Sequence, residues 1–104
     1  MAAPGRTAIW SPEAIADLDA IWGYYERVAG RGTAERIARE IDQLVATIEA
    51  HPFAGRSRDE LRPGVRSLAA KPHVLFYRVT NEIPEVMRLL DGRQDIDEIF
   101  PARP

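Results

Sequence analysis

The sequence contains no cysteine. That absence removes disulfide scaffolds and thiolate-held metal sites, and it fits a chain at work in a reducing compartment. Histidine is scarce: only His51 and His73 occur, far apart, so neither a metal site nor a cofactor is expected. No run of about eighteen apolar residues exists, which excludes a membrane-spanning helix. Met1–Arg6 lacks the apolar stretch of a secretory signal, so a cytoplasmic location is expected. No glycine-rich phosphate loop occurs either; Gly30-Arg31-Gly32 reads as a connector between helices. Lysine is almost missing, since Lys71 stands alone beside thirteen arginines. GC-rich codon usage gives that bias as readily as function does, although arginine offers a planar fork for carboxylate or phosphate.

What is present describes one small α+β domain over residues 1–104, with a core of about 7–100. Hydrophobic residues make up 45% of the chain and the formal net charge is only -2, so wholesale disorder is excluded. A chain this short buries only about two-thirds of its unfolded surface, and a partner that completes its core would matter. The charge is unevenly distributed. Residues 1–55 hold five arginines against eight acids, a net of -3, and residues 56–93 hold eight cations against five acids, a net of +3. Residues 94–104 return to -2. A basic middle between acidic ends points to one positive face on the fold.

Periodicity divides the chain into two helices followed by strands. Thr7–Trp10 is β-prone and apolar, a short first strand. Ser11-Pro12-Glu13 is a helix start: an N-cap hydroxyl, a proline at N1 and an acid at the positive helix end. Ile15, Leu18, Trp22 and Tyr25 recur at helical spacing, widened by Ala14, Ile21 and Val28, until Gly30 and Gly32. Thr33 is the next expected N-cap, and Ile37, Ile41, Leu44, Val45 and Ile48 form a second stripe that Pro52 closes. The pair is an αα-hairpin. Residues 53–64 read as a loop, and Val65–Ala69 as a strand. His73–Val79 is the strongest strand signal, followed by a Thr80–Glu82 hairpin loop and a strand over Glu85–Leu90. Pro84 marks a strand end or an edge. Asp95–Phe100 suits a last helical turn with Ile96, Ile99 and Phe100 on one side. The expected order is β-α-α-β-β-β, a helix hairpin on one face of a small, mostly antiparallel sheet.

Strand alternation then assigns the faces. If the charge-free sets face the helices, Leu75, Tyr77 and Val79, Met87 and Leu89, and Val65, Ser67 and Ala69 point inward. Arg66, Arg78 and Arg88 then share the open face with Leu68, Val74, Phe76, Val86 and Leu90. Such a surface suits an acidic, partly apolar protein partner. The alternative is that the chain's own C-terminal turn covers it while Glu85 or Asp91 pairs the arginines.

Several segments carry a family resemblance. Asp17–Tyr25 (DLDAIWGYY) is similar to the first helix of ParE-type toxins. The similarity continues through His51–Arg56, Glu60–Leu68, His73–Val79 and Arg88–Asp95, in the same order and spacing. The resemblance implies the RelE/ParE fold and a toxin of a bacterial type II toxin–antitoxin pair. It further implies inhibition of DNA gyrase and neutralisation by a ParD-type ribbon-helix-helix antitoxin, with DNA met only through that antitoxin. A C-terminal antitoxin segment would wrap the toxin, its helix lying in a groove and its carboxylates held by arginines. Arg56, Arg66, Phe76, Arg78, Arg88 and Arg93 are the expected antitoxin- or target-binding residues.

RelE-type relatives cut mRNA on the ribosome instead, which needs an acid, a base and cations on the phosphate. In this chain His73, exposed at a strand start, would serve with Arg56 and Arg66. His51 reads as a helix-end or loop residue, and Tyr77 as core with a bonded hydroxyl. The C-terminal segment is acidic, with Asp91 where many ParE-type relatives carry histidine, so catalysis is not expected there. A third class is a non-toxic, toxin-like subunit of an antitoxin repressor complex.

Overall fold

In a computed structural model, the described residues are 7–94 and 96–100. Met1–Arg6, Asp95 and the segment containing Arg103, all used above, lie outside them. The order is β1 (Ile9–Trp10), α1 (Pro12–Ala29), α2 (Arg31–Ala50), β2 (Arg56–Ser57), β3 (Arg66–Ala70), β4 (His73–Thr80), β5 (Ile83–Asp91) and α3 (Ile96–Ile99). The five strands form one mixed sheet in the order β1-β5-β4-β3-β2, with β1 parallel to β5 and the rest antiparallel.

The helix hairpin forms for the reasons visible in the sequence. The Ser11 hydroxyl accepts from the Ala14 N–H at 3.0 Å, and Pro12 opens the helix without forfeiting a bond. The second helix starts earlier than expected, at Arg31, so Thr33 is not its cap. Gly30 alone, at φ 89°, ends one helix and begins the next, which lets Gly32 lie within α2. Along α1 the contact with the core runs through Ala14, Leu18, Ile21 and Tyr25. Ile15, expected inside, is 50% exposed; the tightest approach belongs to the small Ala14 one position earlier. Ile37, Ile41, Leu44 and Ile48 of α2 are buried as the stripe demands.

The helices cover one face of the sheet, where Leu75, Tyr77, Val86 and Leu89 join them in the main core. The other face has its own cluster of Leu61, Val65, Phe76, Leu90 and Phe100, with Ile96 and Ile99 packed beside it. The chain thus covers its second face with α3 and the loop before β3. That is the own-chain alternative, and the exposed amphipathic face expected for a partner is not there. β4 has the expected phase, but β3 is inverted. Its register sets Arg66 opposite Tyr77 and Leu68 opposite Leu75, so both point to the helix side. The charged residue is tolerated there because Arg66 sits by the loop after α2, whose carbonyls take its guanidinium. β5 is shifted by a bulge: Tyr77 pairs with Val86 and Phe76 with Arg88, leaving Met87 as the extra residue. Val86 therefore enters the main core and Met87 turns to the other face, the reverse of simple alternation.

The β4–β5 turn is a two-residue loop with Asn81 and Glu82 both at positive φ, 53° and 64°, the twist that matches a hairpin. Pro84 sits beyond the end of β1, which pairs with β5 only at Glu85 and Val86, so its missing N–H costs no ladder bond.

Candidate functional site

The outer edge of β5 is where the fold leaves room. β1 covers that edge for two residues only, after which the chain turns into α1. Ser11 makes the join, its N–H donating to the Val86 carbonyl at 3.0 Å and its hydroxyl to the Met87 carbonyl at 2.7 Å. One turn and a half later Asp17 staples the helix to the strand. Its Oδ2 accepts from the Leu89 N–H at 2.9 Å and from Arg88 Nε at 2.8 Å, while Oδ1 accepts from Arg88 Nη2 at 2.9 Å. This two-pronged pair is largely shielded from water, and the Asp17 carboxylate holds the Arg88 guanidinium above its ordinary pKa.

Past the staple, helix and strand enclose a groove of about 440 Å³. Ala20, Ile21, Tyr24, Val28 and Ala29 form its α1 wall, and Leu89, Leu90, His73 and Tyr25 contribute from the sheet and beneath. Tyr24 points outward, as a neighbour of the inward Tyr25 must, and the two rings meet edge to face at 5.1 Å. Tyr25 in turn meets His73 at 5.7 Å. Contrary to the sequence-based expectation His73 is buried, and burial pushes its imidazole below the usual range despite the opposing pull of Asp91 and Glu40.

The far end of the groove is closed by a second ion pair. Arg93 donates to Asp91 from Nη2 at 2.6 Å, from Nε at 2.9 Å and from its backbone N–H at 2.9 Å. These bonds bring the Asp91 carboxyl down to about 2. The Gln94 Oε1 accepts the Asp91 N–H, so this outward donor of β5 is already satisfied. The groove therefore presents an apolar wall between two charge pairs that neutralise themselves.

The residues singled out by sequence fall in four places. Arg88, Arg93 and His73 line the groove. Arg78 lies across the sheet, paired with Glu85 at 3.1 Å. It shares a cleft of about 260 Å³ with Arg62, whose guanidinium lies 5.5 Å from the Phe100 ring. Phe76 is a correction: it is 0% exposed, packed 5.1 Å from Phe100, and cannot touch a partner. Arg56 and Arg66 lie at the opposite edge, on β2 and β3. The set His73, Arg56 and Arg66 is not brought together. Arg66 pairs with Tyr77, four residues along β4 from His73, roughly 13 Å at strand rise. Sequence reasoning missed Asp17 as a site residue. Its signal was present, an acid between Ala14, Leu18 and Ile21 on the inward helix face, but its partner lies 71 positions away. Among the described residues no group of three or more His, Asp or Glu side chains could hold a metal ion. No helix there is long and apolar enough to cross a membrane.

A family model described as the ParE toxin of the type II toxin-antitoxin system parDE matches residues 8–96. The chain belongs to the ParE toxin family. Among its relatives is Toxin ParE1 of Mycobacterium tuberculosis H37Rv, 43% identical over 88 residues, 84% of this chain and 90% of that protein. Toxin ParE1 of Caulobacter vibrioides is 41% identical over 80 residues, covering 77% and 82% of the two chains. The fold of this ParE-family toxin is also seen in a chain of the chromosomal ParDE TA system from P. aeruginosa. The TM-score is 0.71 at 27% identity, covering 83% of this chain and 95% of that one. Two helices packed on a mixed five-stranded sheet are thus the ParE architecture, and the α1–β5 groove is a feature of that framework in this chain.

Proposed function

We propose that this ParE-family toxin acts in the cytoplasm by binding and inhibiting DNA gyrase, and that a ParD-type ribbon-helix-helix antitoxin silences it. The antitoxin's C-terminal segment occupies the α1–β5 groove, and DNA is met only through the antitoxin. The observation that carries the antitoxin reading is the groove itself: Ile21, Tyr24, Val28 and Ala29 offer apolar surface while both ion pairs are internally closed. An entering helix buries an apolar stripe there without having to neutralise a charge. The expectation of an acidic segment drawn to open arginines is thereby revised to an apolar stripe with acids at its margins. Gyrase as the target rests on the family, and the scattering of His73, Arg56 and Arg66 supports binding over RNA cleavage.

The test is induction of the toxin without its antitoxin, following plasmid supercoiling and transcript integrity in parallel. Growth arrest with lost supercoiling and intact transcripts is expected. Cleaved transcripts with normal supercoiling would replace gyrase by the ribosome, and soluble protein without toxicity would leave a repressor-complex subunit. In the same strain Val28→Glu should weaken antitoxin binding by about ten-fold or more, the scale of an interface anchor, and leave toxicity in place.

A further inference from the structure

The most exposed large apolar side chain described is Phe53, at 65%, in the loop between α2 and β2. An apolar ring in a loop is ordinarily free to fold back against the surface. Here the backbone that carries the ring is held in place. The hydroxyl of the buried Tyr77 donates to the Pro52 carbonyl at 2.8 Å and accepts the Gly55 N–H at 2.8 Å. Arg66 Nη1 donates to the Gly55 carbonyl at 2.8 Å and to the Phe53 carbonyl at 3.3 Å. The same guanidinium lies 5.1 Å from the Phe53 ring centroid, so Arg66 supports the backbone and one side of the ring together. Glycine is required at position 55, because a Cβ there would stand 2.6 Å from the Tyr77 hydroxyl oxygen. A side chain from the floor of the core therefore fixes a loop whose central ring faces water.

We propose that Phe53, backed by Arg66, is the anchor by which this toxin grips an acidic, pocketed surface of the protein it inhibits. The inference rests on the reading that the toxin acts by binding a protein target. Aromatic and arginine side chains are the types enriched at interface cores, and an anchor held rigid before binding loses little entropy on docking. The charge selects the sign of the partner. Arg66 has no carboxylate within ion-pair distance among the described residues and rests on backbone carbonyls, whereas Arg58 is tied to Glu60 at 2.8 Å. Position assigns the patch to the target and not to the antitoxin. β2 and β3 lie at the other side of the sheet from β5, roughly 14 Å away at ordinary strand spacing for three steps, so a segment in the α1–β5 groove leaves Phe53 uncovered. A single ring in a chain of net charge -2 favours a protein over single-stranded nucleic acid, which takes successive stacking platforms.

The test compares the wild-type chain with Phe53→Ala and with Arg66→Gln, which removes the charge behind the ring, with matched thermal melts as the folding control. Each is titrated against purified gyrase in a supercoiling assay, against the antitoxin in a binding assay, and by induction in cells. Phe53→Ala should raise the toxin concentration needed for inhibition about ten-fold or more, the mark of an anchor residue, and leave antitoxin affinity within two-fold. Arg66→Gln should move the same readout in the same direction. Undiminished inhibition and growth arrest by both variants would overturn the proposal. So would an equal loss of antitoxin affinity, or Phe53-dependent binding of a single-stranded oligonucleotide. If the wild type arrests growth without touching gyrase, the gyrase reading fails. Loss of arrest in Phe53→Ala would then still support the anchor, against another protein.

Discussion

The two faces of the sheet are closed by different means. On one, Leu75, Tyr77, Val86 and Leu89 meet two long helices whose stripes repeat at regular helical spacing. On the other, Phe76, Val65 and Leu90 are covered by Leu61 from an irregular loop and by Phe100 beside a single helical turn. Both faces are dry at their centres, but the first cover is periodic and the second is assembled from pieces. Arginines show the same contrast. Arg66, beside the helix layer, finds backbone carbonyls, whereas Arg78 on the other face is paired with its register neighbour Glu85. Regular cover leaves an apolar groove of about 440 Å³ at its margin, and the improvised cover leaves a smaller cleft of about 260 Å³ lined by Arg62, Arg78 and Glu85.

The largest test of this contrast removes one ring or branch from each face. Phe76→Ala and Ile41→Ala should each destabilise the protein by about 3–5 and about 2–5 kcal/mol, read by urea denaturation. A loss under about 1 kcal/mol for Phe76→Ala would mean that the second face is not a core at all. Next in size is Asp17→Ala, which strips three acceptor contacts from Arg88 and Leu89 where α1 meets β5. About 1.5–3 kcal/mol should be lost, and the groove should open at its stapled end. Unchanged stability would show that helix packing alone positions the groove wall.

The smallest effect is the pH dependence of His73. Burial holds its folded-state pKa below the ordinary 6.5, so above that value the imidazole is neutral in both states and its contribution is complete. As pH falls through 6.5 the unfolded chain takes up the proton first, and stability declines until the folded pKa is passed. Asp91, held at about 2, stays ionised in the folded protein throughout that interval. Denaturation midpoints between pH 7.5 and 5.5 should therefore fall gently for the wild type and less for His73→Gln. Equal slopes would assign the decline to another group.

Much of the framework was legible along the chain. The N-cap at Ser11, the stripe from Ile37 to Ile48 and the β4 phase follow from neighbours a few residues apart. The phase in turn places the Tyr77 hydroxyl in the core where it must be bonded, although its partners Pro52 and Gly55 lie 25 and 22 positions away. The start of α2 was misplaced because Gly30 and Gly32 look alike in sequence and only one takes positive φ. The site was less legible. Arg88 and Arg93 were expected to bind a partner's carboxylates, yet Asp17 and Asp91 already hold them. His73 was expected exposed and is beneath Tyr25. Phe53, left in a loop, gained meaning only when Tyr77 and Arg66 were seen to fix its backbone.

By itself the sequence determined a helix hairpin, a dominant central strand and a basic middle segment, since periodicity, capping and composition are local properties. The tertiary structure decided what those parts present to a partner. Strand register turned Arg66 and Leu68 toward the helices, and one bulge residue exchanged the faces of Val86 and Met87. A contact across 71 positions neutralised Arg88, and the net -2 of the whole chain gave no sign of where uncompensated charge would remain. The physical reason is common to all three: side-chain direction and charge pairing depend on which distant segments become neighbours, and pairing between distant strands is not written in either strand alone.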